Sequence, residues 1–311
     1  MVAVYLLVGG VLVVVVILLM LSRFARSTHG TTVQDKVVLI TGASSGLGEA
    51  CAEVFFRAGA KVILSSRSSE KLEAASKRLQ TLNIPGVTYS PVILPLDLED
   101  LDSLNDKARQ AVQCHGRVDI LINNAGLGYR GTCLDTTTAV HQKVMNINYF
   151  GPITLTRGII EHMVQNGGGH VVNISSLQGR FAIPYRSAYA AAKHALQAYS
   201  DTLRAEVASK GVKVTVVSPG YITTQLSVNA ITSDASQYGA MDTTTASGMA
   251  PDTVAHKILQ AVERGDNEVI LGKFIHRAAI TLRCIAPSIY FAIMKSRARK
   301  EEDNYSHQKQ S

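Results

Sequence analysis

The sequence predicts an α/β fold, a single domain on a doubly wound parallel sheet, preceded by an N-terminal transmembrane helix. Three observations carry this expectation. Short apolar, β-branched runs alternate with helical patterns along most of the 311 residues, the arrangement of strands covered by helices on both faces. A glycine-rich turn, TGASSGLG, follows the first of those runs. Ahead of all of them, Val2 to Leu21 carries no charged side chain.

The apolar segment comes first in the chain. About 20 residues at ~1.5 Å rise match the ~30 Å hydrocarbon layer. A cleaved signal peptide would show a basic n-region, a core of about 7–15 residues and a small-residue cleavage site. Here no Lys or Arg precedes the run, and Arg23 and Arg26 follow it. The reading is a retained anchor over residues 1–22, a linker over 23–34 and a catalytic domain over 35–273. Residues 274–295 follow as a membrane-associated amphipathic segment or a packed C-terminal helix, two readings the sequence leaves open. A polar, unstructured tail over 296–311 closes the chain.

Within the domain, Val37 to Ile40 read as a first buried strand, ending in a turn with Gly42, Gly46 and Gly48 and a helix over 49–57. Glycines let the backbone approach a pyrophosphate, and the helix N-terminus supplies N–H donors. The spacing is G-x-x-x-G-x-G, unlike the commoner G-x-G-x-x-G. KVILSSR (61–67) is the second strand and ends in Arg67, where an NAD-selective site would place an acid. A guanidinium there suits a 2′-phosphate, so NADP(H) is the expected cofactor, with NAD(H) as the alternative. VILPLDL (92–98) is a third strand with Asp97 at its tip, and DILINNAG (119–126) a fourth with a tight exit. A helical stretch over 137–165 carries Asn148 and stops at Gly167-Gly168-Gly169. HVVNIS, a long helix, KVTVVSPG and EVILG (268–272) complete the sheet.

The chemistry lies in SSLQGRFAIPYRSAYAAAK. Tyr189 and Lys193 are four apart and share one helix face. A phenol ionises near pH ~10, and an ammonium nearby favours the phenolate, making Tyr189 usable as an acid or base. Ser176 stands thirteen residues earlier, just past a strand, where a hydroxyl can hold a substrate oxygen. A Y-x-x-x-K pair alone is a common feature of helices and carries no chemistry without its surroundings.

The ordered set TGASSGLG, NNAG, Asn148 in NYFG, Ser176, YAAAK and SPG resembles the short-chain dehydrogenase/reductase family over roughly residues 35 to 270. The resemblance implies a Rossmann-like domain. It also implies Tyr189 as proton donor and Lys193 as a ribose ligand that lowers the tyrosine pKa. Ser176 would orient the substrate carbonyl, and Asn148 would hold a water in a proton relay. Gly42, Ser44, Gly46, Leu47, Arg67, Asp97, Asn124 and Thr224 would line the cofactor, together with Tyr189 and Lys193. One departure is Ser45, where many NADP-preferring members carry a basic residue, which leaves Arg67 alone to select the phosphate. By the same analogy, residues 225–250 form a lid over the substrate.

The implied activity is hydride transfer between NADP(H) and a lipophilic carbonyl or alcohol (lipid, steroid or retinoid). The alternative is a non-catalytic protein keeping the cofactor fold as a scaffold; the full set Asn148, Ser176, Tyr189 and Lys193 favours the enzyme. A single-pass anchor in the endoplasmic reticulum membrane is expected. The basic residues after the anchor place the domain in the cytosol, and anchored relatives facing the lumen supply the alternative. Of two sequons, Asn173-Ile-Ser falls in a core strand and Asn304-Tyr-Ser in the tail, where it would be open to glycosylation in the lumen. Net charge is +7, pI about 9.2 and mean hydropathy +0.13. No nucleic-acid motif accompanies the charge; the basic residues gather by the anchor and in KSRARK, which suits anionic headgroups, with plain solubility of a tail as the alternative. Cys51, Cys114, Cys133 and Cys284 have neither disulfide nor metal spacing. His194 is turned about 100° from Lys193 and is expected to face elsewhere. A homodimer through the helices bearing Asn148 and Tyr189 is a further implication of the resemblance.

Overall fold

A computed structural model of the chain describes residues 32–310 except 83 and 87, with side chains to 302. The predicted anchor and most of the linker lie outside the described residues. Among those described, no helix is long and apolar enough to cross a membrane.

Seven parallel strands form one sheet in the order β3-β2-β1-β4-β5-β6-β7. They are β1 (Val37–Thr41), β2 (Lys61–Ser65), β3 (Val92–Ile93), β4 (Ile120–Asn123), β5 (Gly169–Ile174), β6 (Val212–Pro219) and β7 (Glu268–Leu271). The order reverses between β1 and β4, so the crevice beyond their carboxyl ends is where an open α/β sheet takes a ligand.

Alternation along the strands builds the two cores. Val38 and Ile40 point to one face, packed under α1 (Gly46–Arg57), α2 (Ser69–Gln80) and α8 (Pro251–Arg264) through Phe55, Leu72 and Ile258. Val37 and Leu39 point to the other, under α3 (Leu104–His115), α5 (Gly151–Gln165) and α6 (Ser187–Val207) through Leu104, Ile159 and Leu203. Each fully buried Leu, Ile or Phe contributes about 1.5–3 kcal/mol.

Three sequence expectations change. The third strand shrinks to two regular residues, although Leu94 N and Leu96 N still bond Leu64 O (2.9 Å) and Ser66 O (3.1 Å) of the neighbouring strand segment. Pro95 between them turns its N to the open edge, where no ladder bond is needed. The stretch 137–165 is not one helix: α4 (Thr138–Met145) passes through a π turn, Asn146–Phe150, before α5. Finally, residues 274–310 form a helical hairpin, α9 (Phe274–Ile285) and α10 (Pro287–Gln310), in place of a segment followed by an unstructured tail. An Arg297–Glu301 pair one turn apart supports the polar part of α10. A short α7 (Thr243–Ala246) lies inside the predicted lid.

Asn173 is buried and donates to Ser200 Oγ at 2.8 Å, as expected for a core-strand sequon. His170, also buried, lies 2.7 Å from Thr215 Oγ1, whose own proton goes to Asp266 O. The ring therefore donates from Nε2 and is held neutral, with burial, then Lys213, lowering its pKa to about 3. Unfolding frees this ring to protonate near its ordinary value of ~6.5. Its stabilising effect is complete above that pH and is lost as pH falls toward 3, at about 1.4 kcal/mol per unit. Denaturant titrations at stepped pH should show this slope, and His170→Gln should flatten it; an equal slope in both proteins would assign acid sensitivity elsewhere.

Candidate active site

The turn after β1 is shaped by Gly42, whose φ of +68° is costly for other residues; a Cβ there would also stand 2.9 Å from Ala125 Cα. At Gly48, in the first turn of α1, a Cβ would lie 2.1 Å from Gly42 O, so only glycine lets the helix begin this close to the turn. Thr41 ties the neighbouring exit in place. Its Oγ1 accepts from Asn124 N (3.0 Å) and Ala125 N (3.1 Å), and Asn124 Nδ2 returns a bond to Thr41 O at 3.0 Å. Two loops from the strand-order reversal are thereby fixed against each other.

They open onto a cavity of about 1060 Å³. Gly42, Ser44, Gly46, Leu47, Arg67, Asp97, Asn124, Ser176, Tyr189, Lys193 and Thr224 all line it. Asp97 Oδ1 accepts from Glu99 N at 3.0 Å, and Thr224 Oγ1 from Leu226 N at 3.4 Å, so each also shapes its own loop. Arg67 is exposed at the rim. Lys71, one turn into α2, joins it there, so Arg67 is not the sole cation at the rim. Its signal in the sequence is a basic residue four positions after Arg67. Between strand and rim, Ser66 Oγ is buried without a partner among the described residues. A glycine cradle, an orphan hydroxyl and two cations on one wall fit a dinucleotide.

Asn148 is placed differently. It is fully buried behind the cavity wall. Its Oδ1 accepts from Leu127 N (3.1 Å), and its Nδ2 donates to Leu127 O (2.9 Å) and Val144 O (3.0 Å). The π turn brings it there, and a Cβ on Gly126 would strike its Oδ1 at 2.8 Å. In this arrangement Asn148 pins the loop after β4.

Tyr189 lies in the first turn of α6 and Lys193 one turn later. Burial pushes the Tyr189 phenol above its ordinary value, outweighing a hydrogen bond with Ser176 and the charge of Arg130, which both lower it. The expected lowering by Lys193 is not what governs the phenol. Lys193 Nζ is 5.7 Å from the tyrosine ring centroid and donates to Ile174 O at 2.8 Å. Burial brings the lysine's own pKa down to about 8. Ser176 Oγ also accepts from Gln178 N at 3.1 Å, which orients it at the strand exit. Ser175, unremarked in the sequence, donates to Lys193 O at 3.3 Å and ties that exit to α6. His194 is absent from the cavity lining; its Nδ1 meets Ala190 O at 2.8 Å. Among the described residues, no cluster could hold a metal ion.

From the segment 225–250, Gln225, Leu226, Ser227, Asn229, Ile231 and Gln237 also line the cavity. An ion cluster holds this segment down. Asp242 takes Arg130 through Nε at 3.0 Å and through Nη2, and Arg186 at 3.6 Å, and all three are nearly buried. Tyr238 donates to the same carboxylate at 3.2 Å. Arg130 and Arg186 both lie far from Asp242 in the chain, the first 112 residues away, and leave no local signal, so sequence reading missed this clamp.

The sequence matches the short chain dehydrogenase family over residues 36–235. It is 49% identical over 270 residues to dehydrogenase/reductase SDR family member 7B of Bos taurus, covering 86% of this chain and 83% of that one. Dehydrogenase/reductase SDR family protein 7-like of Anopheles gambiae is 48% identical over 284 residues, covering 91% and 90%. Among solved structures, a short-chain dehydrogenase from Streptomyces avermitilis superposes with a TM-score of 0.71 at 30% identity, covering 86% of this chain and 99% of that one. A Burkholderia phymatum short chain dehydrogenase/reductase in complex with NAD gives 0.72 at 22% identity over 81% and 94%, a likeness of fold. With half the residues shared along almost the full length of such relatives, and the nucleotide crevice formed where the sheet order reverses, the chain belongs to the short-chain dehydrogenase/reductase family of oxidoreductases.

Proposed function

We propose that the protein is a membrane-anchored, NADP(H)-dependent oxidoreductase acting on a lipophilic carbonyl or alcohol, with Tyr189 as general acid and base. The observation that carries this reading is that Ser176, Tyr189 and Lys193 line the same cavity as the glycine turn and Arg67. Gly42, Ser44, Gly46, Leu47, Asp97, Asn124 and Thr224 would hold the dinucleotide, and Lys193 would exchange its bond to Ile174 O for a ribose hydroxyl. Bound in reduced form, that cofactor supplies a hydride to a carbonyl carbon. Ser176 would hold the carbonyl oxygen, and Tyr189, kept protonated by burial, would deliver the proton. Leu127, Leu177, Phe181, Ile183 and Ile222 add apolar lining to the same cavity, which suits a lipophilic substrate. Val2–Leu21 would be the anchor, in the endoplasmic reticulum membrane, with the domain in the cytosol. A glycosidase-sensitive size shift abolished by Asn304→Gln would place the domain in the lumen instead.

The test is NADPH oxidation by the purified protein against lipid, steroid and retinoid ketones and aldehydes. Turnover with any class supports the reading; tight cofactor binding with silence across the panel would favour the scaffold. Cofactor choice has its own test. Each charge-assisted bond to a 2′-phosphate contributes about 1.5–3 kcal/mol, so Arg67→Ala should weaken NADPH binding about 10- to 100-fold. NADH binding should stay the same. Equal weakening of both would show that Arg67 does not read the phosphate.

A further inference from the structure

The α9–α10 hairpin has two unlike sides. Inward, Ala279, Ile280, Leu282 and Met294 pack on Leu177, Phe181 and Ile183, and Tyr290 donates to Ala182 O. Outward, Phe274 is 85% exposed, Ile275 68%, Ile285 77%, Ile289 57%, Phe291 53% and Ile293 48%. Even its inward residues leave α9 without a fully buried side chain. Isolated exposed apolar residues are ordinary, but large ones gathered on one short hairpin mark a surface that is covered in use.

The charges on the hairpin say by what. Residues 273–300 contain Lys273, Arg277, Arg283, Lys295, Arg297, Arg299 and Lys300 and no Asp or Glu. The acids Glu301, Glu302 and Asp303 follow only beyond the apolar part of α10, where Glu301 pairs with Arg297. Arg283 lies over the Phe291 ring at 4.9 Å, a cation laid along the apolar face. A second copy meeting this patch about a two-fold axis would bring bases against bases. An anionic lipid surface takes both parts: acyl chains receive the apolar side chains and headgroups the cations. Moreover, Ala278, Ala279, Leu282 and Met294 form part of the wall of the active-site cavity. Two of the exposed residues, Ile275 and Ile293, line it as well, so the exposed rim and the cavity meet. One hairpin therefore faces solvent with its apolar rim and the reaction space with its inner side.

We infer that the α9–α10 hairpin rests on an anionic bilayer as a second membrane contact, distinct from the N-terminal segment, and opens the cavity into the lipid. A lipophilic substrate then reaches Tyr189 laterally without crossing water. This route rests on the proposed reaction; the membrane contact does not, and it is measured without turnover.

The chain has no tryptophan, so Phe291→Trp in the full-length protein gives a single reporter. The protein is reconstituted into phosphatidylcholine vesicles with and without about one-third phosphatidylserine, using acyl chains brominated or plain. Expected is a blue-shifted emission that loses about half or more of its intensity to brominated lipid. The effect should be greater with phosphatidylserine and smaller at high salt. Gln113→Trp on α3 should remain unquenched. No quenching at Trp-substituted position 291, or quenching indifferent to anionic lipid, would overturn the inference. A blue shift untouched by brominated lipid would assign the face to another copy of the chain and overturn it as well. In parallel, Ile285→Glu with Ile289→Glu should abolish the quenching while leaving NADPH affinity intact; retained quenching in that variant would also contradict the contact. Loss of NADPH affinity in the wild-type chain would instead count against the proposed reaction alone.

Discussion

Tyr189→Phe is expected to lower turnover by ~10²–10⁴ while leaving NADPH affinity unchanged, because removing a positioned general acid loses about that much. The substitution deletes one oxygen. The ring keeps its place against the cluster of Tyr129, Val140, Val144, Ala188 and Ile231, so the fold should not register the change. What disappears is the hydroxyl that Ser176 engages and whose pKa burial holds above the usual phenol value. Since the acid is protonated throughout the neutral range, the wild-type reduction rate should be flat there and fall only in alkali. Steady-state rates with a responsive ketone, paired with cofactor fluorescence titrations, separate the two effects. A variant that reduces substrate at the wild-type rate would remove Tyr189 from the chemistry. Weakened NADPH binding would assign it a role in holding the cofactor.

Asp242→Ala should be the most destabilising single change outside the hydrophobic cores. The carboxylate lies between the Arg130 and Arg186 guanidiniums and accepts from Tyr238. Burial, then the neighbouring Arg130, already lowers the Arg186 pKa to about 10. Without Asp242 two cations face each other in a nearly dry site, and breaking such a cluster costs about 3–5 kcal/mol. Much of this is expected locally, as opening of residues 225–250, because lids are drawn from the less stable parts of a fold. Protease cleavage within that segment should accelerate and KM should rise more than kcat falls. Adding Arg186→Met, which removes the unpaired cation, should recover part of the loss. Unchanged cleavage and an unchanged denaturation midpoint would show that the clamp holds nothing.

Much of this was written locally. The continuous apolar, β-branched runs pointed to the strands, because a parallel strand covered on both faces is apolar at successive positions. Gly42, Gly46 and Gly48 announced the turn through the backbone geometry they permit, and Tyr189 and Lys193 their shared face through helix periodicity. Features that depend on partners distant in sequence stayed hidden. Arg130 and Asp242 have no mutual spacing to read, and the π turn that buries Asn148 has no pattern of its own. The phenol's pKa direction was misjudged because adjacency to Lys193 on a helix says nothing of burial, nor of Ile174 O claiming the ammonium. The hairpin after residue 273 was ambiguous for a different reason: its apolar residues face both the protein and solvent, so no single stripe stands out.

The most direct test of the central claim follows one hydrogen. The wild-type protein is incubated with NADPH carrying deuterium at either face of nicotinamide C4 and with the long-chain, steroid and retinoid carbonyl panel. Mass spectrometry then locates the label. The account predicts deuterium on the carbinol carbon of an alcohol product, from one face of the cofactor only, and none with Tyr189→Phe on the same timescale. Saturating NADPH binding with no labelled alcohol from any substrate would contradict it.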